Sequence, residues 1–436
     1  MNASRTGIPG PEREGPVARP GRERPAPDGL GRRFWTLFSS STVSNLADGV
    51  GRVAFPLLAV TLTRDPVLVA AVSSLTILPW LLFAILSGAL VDRFDRRRAM
   101  IAAQLVRAAV VGLLTVAVVA GQAALWMLYA AAFVLGAVET LYDNAAHSMT
   151  PAVVRRDQLE KANGRMEAAS TVVENFLGAP LASALFVAAA ALPFLANSLG
   201  FLLAGVLLLL LPGRYRAEPQ GERPANLRAE MAEGVRWFWN HRLIRGLTIV
   251  AGLSGAAFTA VTAVMVLYVT DVLKLPAAAY GWFMLASGVG GVVGGLVVPA
   301  LVRRWSRAAV MAVALTLPGL CFVLIGVLPS PAALAASMLL GGGSLLVWNV
   351  LVMSVRQALV PPHLFGRVLG VIRTLLWGLM PLGALAGGLL ARLYGLQTVA
   401  VACGGALVVL MVPLSVTLYR HRALLRALDR PESVDM

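Results

Sequence analysis

Charge is scarce in this chain: of 436 residues only 14% are Asp, Glu, Lys or Arg, against about 25% in soluble proteins. Lysine is nearly missing, with Lys161 and Lys274 alone, and there are four histidines. With 58% apolar residues and a mean hydropathy of +0.76, this excludes a water-soluble globular protein and makes lipid the solvent for most of the chain. Cysteine is limited to Cys321 and Cys403, both inside apolar runs, so neither a disulfide nor a redox motif is expected. There is no Gly-x4-Gly-Lys phosphate loop, no His or Cys metal spacing and no Ser-centred elbow. Catalysis, a metal site and a bound cofactor are therefore not expected. Residues 1–33 lack the apolar core of a signal peptide and are rich in Pro, Gly, Arg and Glu, which reads as a disordered tail. Acids are outnumbered 22 to 37, for a net charge of +15. That balance would suit nucleic acid if it formed one patch. Here it falls in short clusters between apolar runs, which suits anionic lipid headgroups instead, and no nucleic-acid partner is expected.

What is present is a succession of apolar runs near the roughly 20 residues that a spanning helix requires. Twelve are read, at 34–62, 67–91, 99–120, 123–147, 163–190, 192–212, 244–270, 277–302, 308–328, 332–357, 364–392 and 396–419. Threading the chain through a bilayer on these runs puts 31 of the 37 basic residues in connections and tails on one side. By the positive-inside rule that side is cytoplasmic, with both termini on it. The expectation is an all-α integral membrane protein of the cell membrane, with twelve helices in two six-helix bundles. Its parts are a tail at 1–33, bundles at 34–212 and 244–419, a linker at 213–243 and a second tail at 420–436. The linker's NLRAEMAEGVRWFWNHRLIRG, with Trp237, Phe238 and Trp239 among charges, reads as an interfacial amphipathic helix. A monomer is expected.

Ionisable residues at membrane depth are costly, about 2.5–3.5 kcal/mol each on insertion scales, so each needs an account. Asn45, Asp48 and Arg52 share one face of the first helix, which allows an internal Asp48–Arg52 pair. Glu139, Asp143 and His147 share one face of the fourth, and Arg107 on the third lies at a depth where it could pair with Glu139 or Asp143. The fifth carries Glu167, Thr171, Glu174 and Asn175 on one stripe, before Gly178-Ala179-Pro180, where Pro180 favours a kink. The tenth presents Asn349 and the eleventh Arg373, the expected counter-ion of Glu174 or of an anionic substrate. With no basic residue on its own helix face, Glu174 is favoured over Asp48 as a proton carrier. Asn45, Asp48, Arg52, Glu139, Asp143, Glu174, Asn349 and Arg373 thus form the candidate substrate or proton pathway.

The stretch SGALVDRFDRRRAM at 87–100 holds Gly88-x-Leu90-x-Asp92-Arg93-x-x-Arg96-Arg97. It resembles the signature loop between helices 2 and 3 of the major facilitator superfamily, with Asp95 where that family has a second glycine. AlaLeuVal at 89–91 returns at 300–302, again before a basic cluster, which matches that family's repeated halves. LADGVGRVAFPLLAVTLTRDP, VETLYDNAAHSMTPAVV and WNVLVMSVRQALVPPHLFGRV are similar to the enterobactin-exporter and macrolide-efflux branch. The resemblance implies two bundles related by a pseudo-two-fold, rocking about a small-molecule site, and proton-driven export of an amphipathic compound. It also implies a cytoplasmic gate motif of Gly88, Asp92, Arg93, Arg96 and Arg97; because unpaired N–H groups and the helix dipole favour an anion, Asp92 is expected at the start of helix 11, near residues 364–367. Uptake symport and lipid flipping remain as alternatives on the same fold.

Overall fold

A computed structural model describes residues 29–213, 215–216, 227–361 and 364–421; the rest of both tails and the middle of the linker lie outside these. Every regular element among the described residues is helical, and twelve are long and apolar enough to cross a membrane. They are helix 1 (Gly31–Leu62), helix 2 (Pro66–Arg93), helix 3 (Arg96–Val119), helix 4 (Leu125–Val153), helix 5 (Leu159–Ala188) and helix 6 (Leu192–Leu209). After the linker helix (Leu227–Asn240) come helix 7 (Arg242–Ala263), helix 8 (Ala279–Arg304), helix 9 (Arg307–Val327), helix 10 (Pro331–Leu359), helix 11 (Phe365–Tyr394) and helix 12 (Leu396–Arg420). Leu113, Val187 and Leu296 are 72%, 74% and 76% exposed, an outer surface suited to hydrocarbon and unsuited to water.

Local chemistry sets the helix ends. Asp95 takes ordinary extended angles and caps helix 3, its carboxylate accepting from the Arg98 N–H at 3.0 Å. That explains how the tight turn forms where the superfamily has glycine. His241 caps helix 7 by accepting from the Ile244 N–H through Nδ1. Burial holds its imidazole below the usual pKa, which favours the neutral form that can accept. Helices 11 and 12 are joined by Gly395 alone, at φ +89°, a conformation that side chains resist. In helix 5, where Pro180 is expected to favour a kink, the structure has a π turn over Val172–Gly178. Proline cannot donate the next backbone bond, and the wider turn spares the carbonyl its ring would strike.

Helices 2 and 11 carry much of the contact between the halves, with helices 5 and 8 as a second seam. The first seam is tightest at one end. Asp65 faces Arg392 at 3.6 Å, and a Cβ on Gly388 would lie 2.8 Å from the Pro66 carbonyl oxygen. Deeper in, Ser74 donates to the Pro381 carbonyl at 3.2 Å, and Trp80 stacks on Trp377 at 5.1 Å between centroids. Beyond that stack one face of helix 11 is open, although Val368 and Ile372 stay buried: Arg373, Thr374 and Leu375 are exposed, and nothing lies within 4 Å of a Cβ built on Gly366 or Gly370. The halves therefore close on the arginine-poor face and part toward the arginine-rich one. The linker helix sits against the arginine-rich end of helix 11, with Glu233 bound to Arg367 at 2.7 Å.

Candidate functional site

Helices 1, 2, 4 and 6 enclose a cavity of about 650 Å³, within the range of small-molecule sites. Its wall is largely apolar and aromatic, with Phe55, Ile77, Leu135 and Phe201 from the first half. Trp80 and Trp377 line it together, Trp377 being the lining residue contributed by the second half. Asp48, Arg52, Glu139 and Asp143 are the charged lining residues.

The charged residues pair differently from the expectation built on single-helix spacing. Asp48 does not pair with Arg52. It accepts from Arg107, whose side chain is 1% exposed, lies 4.0 Å beneath the Phe201 ring centroid and also donates to the Ser44 hydroxyl at 3.3 Å. Arg107 is thus bound to helix 1 rather than to Glu139 or Asp143. Arg52 instead reaches Glu174 at 2.7 Å. The cause is a backbone contact between helices 1 and 5. A Cβ on Gly49 would lie 2.8 Å from Glu174 Cα, and one on Gly178 would lie 2.6 Å from Gly49 Cα. Only glycine permits that approach, and it brings Arg52, one turn along helix 1, over the Glu174 carboxylate. Ser170 donates a further hydrogen bond to Glu174 at 2.7 Å.

With those four residues mutually neutralised, Glu139 and Asp143 are the lining carboxylates without an ion-pair partner among the described residues. They stand four residues apart on one face of helix 4, close enough to repel. Asn45 is half-buried and does not line the cavity, while Asn349 and Arg373 are exposed and also lie off it. Arg373 is not the counter-ion of Glu174, because Arg52 takes that place.

In the signature loop, Arg96 donates to the Ser148 carbonyl at 3.1 Å, and Arg97 donates to the Leu208 and Leu209 carbonyls at 2.9 Å each. Both brace the first half from within, where cations favour the carboxyl ends of helices. The side chains of Gly88, Asp92 and Arg93, on which the expected gate rests, lie outside the described residues. On the opposite face, Arg64 of the first half binds Asp271 at 2.9 Å and Thr270 at 3.0 Å in the second.

Twelve helices long and apolar enough to span, a seam of helices 2 and 11, and a cavity lined from both halves point to a transporter, and comparison with known sequences decides it. The pattern of the transmembrane secretion effector family matches residues 30–432. The chain belongs to this family of the major facilitator superfamily. The multidrug efflux pump Tap of Mycobacterium tuberculosis is 30% identical over 383 residues, covering 84% of this chain and 88% of that one. Macrolide efflux protein A of Streptococcus pyogenes is 21% identical over 373 residues, covering 84% and 91%. Among solved structures, a single-site mutant of the nucleoside transporter NupG superposes with a TM-score of 0.77 at 15% identity, covering 88% of this chain and 100% of that one. That likeness shows the major facilitator fold. The protein is accordingly a multi-pass membrane transporter and not an enzyme.

Proposed function

We propose that the chain is a proton-driven exporter of small cationic amphipathic compounds, with its arginine-rich face in the cytoplasm. The observation that carries the substrate class is the cavity: aromatic walls with two lining carboxylates, Glu139 and Asp143, that form no ion pair among the described residues. Apolar rings accept the body of such a compound, and tryptophan faces attract its positive charge. The efflux relatives support the direction, and the basic asymmetry supports the orientation. In that orientation the cavity faces inward.

A cation and a proton then compete for the same pair of carboxylates. Cargo entering from the cytoplasm relieves the repulsion between Glu139 and Asp143. After the halves rock, protons arriving from outside displace the cargo and stay on the pair for the return. Asn45 beside the cavity, and Asn349 and Arg373 beyond it, would meet cargo on the way in rather than hold it.

The measurement is fluorescence polarisation of the purified protein with ethidium, a cationic amphipathic dye, and an anionic dye of similar size. Ethidium is expected to bind and the anionic dye not to, with ethidium affinity falling as pH is lowered. Equal binding of both dyes, or an affinity indifferent to pH, would refute the assignment of Glu139 and Asp143.

The pairs Arg64–Asp271 and Asp65–Arg392 join the two halves at the closed face and act as a latch on the inward-open state. Their arginines are 61% and 60% exposed, so each pair contributes only about 0.2–1 kcal/mol. Replacing Arg64 and Arg392 together with Gln should shift the population toward outward-open by a few-fold. With Cys321 and Cys403 removed, a cysteine at Val72 in the cavity wall should then label faster with an impermeant maleimide from outside. An unchanged labelling rate would show that the pairs do not hold the gate.

A further inference from the structure

A second concavity, on the lipid-facing side of the other half, is separate from the transport cavity. Helices 8 and 9 are joined by Trp305 and Ser306 alone, yet both pack on helix 10 and hardly on each other. Glycine explains the asymmetry. A Cβ on Gly294 would lie 2.7 Å from Gly343 Cα, so helix 8 lies flat on helix 10, while helix 9 divides its packing between helices 10 and 12. The wedge left between them holds about 530 Å³. Val293 and Val297 form one wall, Val313 and Leu317 the other, and Leu339 lies on the floor. Ser344 and Trp305 are the only lining side chains with a polar atom, so the wedge offers an aqueous solute almost nothing to bind.

Its length and its mouth identify an occupant. From Gly290 to Leu301 the groove runs about 16 Å at about 1.5 Å per residue. That is roughly half of a ~30 Å hydrocarbon core, the depth of one leaflet. At its arginine-rich end stands Trp305, 51% exposed, the residue type that settles at the headgroup level. Arg303 and Arg304 are exposed in the last turn of helix 8, with Arg304 5.4 Å from the Trp305 ring centroid, and Arg307 opens helix 9. We propose that this groove binds an anionic phospholipid of the leaflet on the arginine-rich face. One acyl chain fills the wedge, and the phosphate rests on Arg303 and Arg304. A zwitterionic lipid brings the same chain but an ammonium that these arginines repel. Nothing in this depends on which compound the transporter carries.

The test is native mass spectrometry of the full chain, purified in detergent and titrated with dioleoylphosphatidylglycerol or dioleoylphosphatidylcholine. The anionic lipid should be retained on the order of tenfold more tightly, as two arginines near a headgroup imply. Combined Arg303→Gln and Arg304→Gln should bring it down to the level of the choline lipid. Val313→Trp, at a groove-lining position that is 61% exposed, should weaken both lipids. Excess inorganic phosphate should leave the lipid bound. Equal retention of the two lipids by the unmodified chain, or unchanged retention in both variants, would overturn the proposal. So would release by phosphate alone, since the site would then hold only an anion.

Discussion

Vesicles carrying Glu139→Gln together with Asp143→Asn should accumulate no more dye under a proton gradient than vesicles without the protein. Neutral amides mimic the protonated pair, so the transporter can complete its cycle but cannot couple it to protons. Downhill exchange at saturating dye should persist, which distinguishes lost coupling from lost folding. The electrostatics of the cavity single out this pair. Asp48 is committed to Arg107 and Glu174 to Arg52, leaving Glu139 and Asp143 without a basic partner among the described residues. A carboxylate held by a guanidinium has an oxygen already occupied and a proton to compete with a fixed positive charge. Glu174→Gln should therefore slow export through a loosened contact of helices 1 and 5 while leaving its proton dependence in place. If the double variant still concentrates dye and Glu174→Gln does not, Glu174 is the carrier that its own helix face suggests.

Asp48→Ala should cost about 3–5 kcal/mol of stability, the largest effect of any single replacement in the cavity wall. Arg107 is 1% exposed, held between the Phe201 and Tyr142 rings, and its Nε already lacks a partner. Removing Asp48 leaves a buried cation whose one remaining hydrogen-bond acceptor among the described residues is the Ser44 hydroxyl, at 3.3 Å. Combined Asp48→Asn and Arg107→Met removes both charges and should recover most of the loss, because a methionine fills the slot beneath Phe201. Thermal unfolding in detergent, compared across the single, double and unmodified chains, checks the order. A loss below about 1 kcal/mol in Asp48→Ala would mean that water reaches Arg107 and that the pair is not structural.

The helices and the side on which arginines gather were legible because both are one-dimensional properties, apolar length and alternating charge. Pro180 was legible for the same reason, since a missing donor acts on its own helix. The pairing of charges was not. Asp48 and Arg52 share a face, yet each takes a partner from another helix, and the choice is made where Gly49 and Gly178 let two backbones touch. That contact depends on the crossing of helices 1 and 5, which no spacing within either one encodes. Arg107 lies midway along helix 3, and position along a helix does not tell whether it turns toward helix 1 or helix 4. The sequence does carry a signal for the cavity's tryptophans. Trp80 and Trp377 lie mid-helix, away from the interfacial level where tryptophan normally settles, and a tryptophan there has to face protein or cargo.

The proposed cycle turns on the direction in which cargo moves. In the proposed orientation, membrane vesicles turned inside out place the arginine-rich face, and with it the open cavity, toward the medium. With an acidic lumen, ethidium in the medium should accumulate inside them, and a protonophore should release it. Accumulation confined to right-side-out vesicles, or uptake that ignores the proton gradient, would contradict export by this protein.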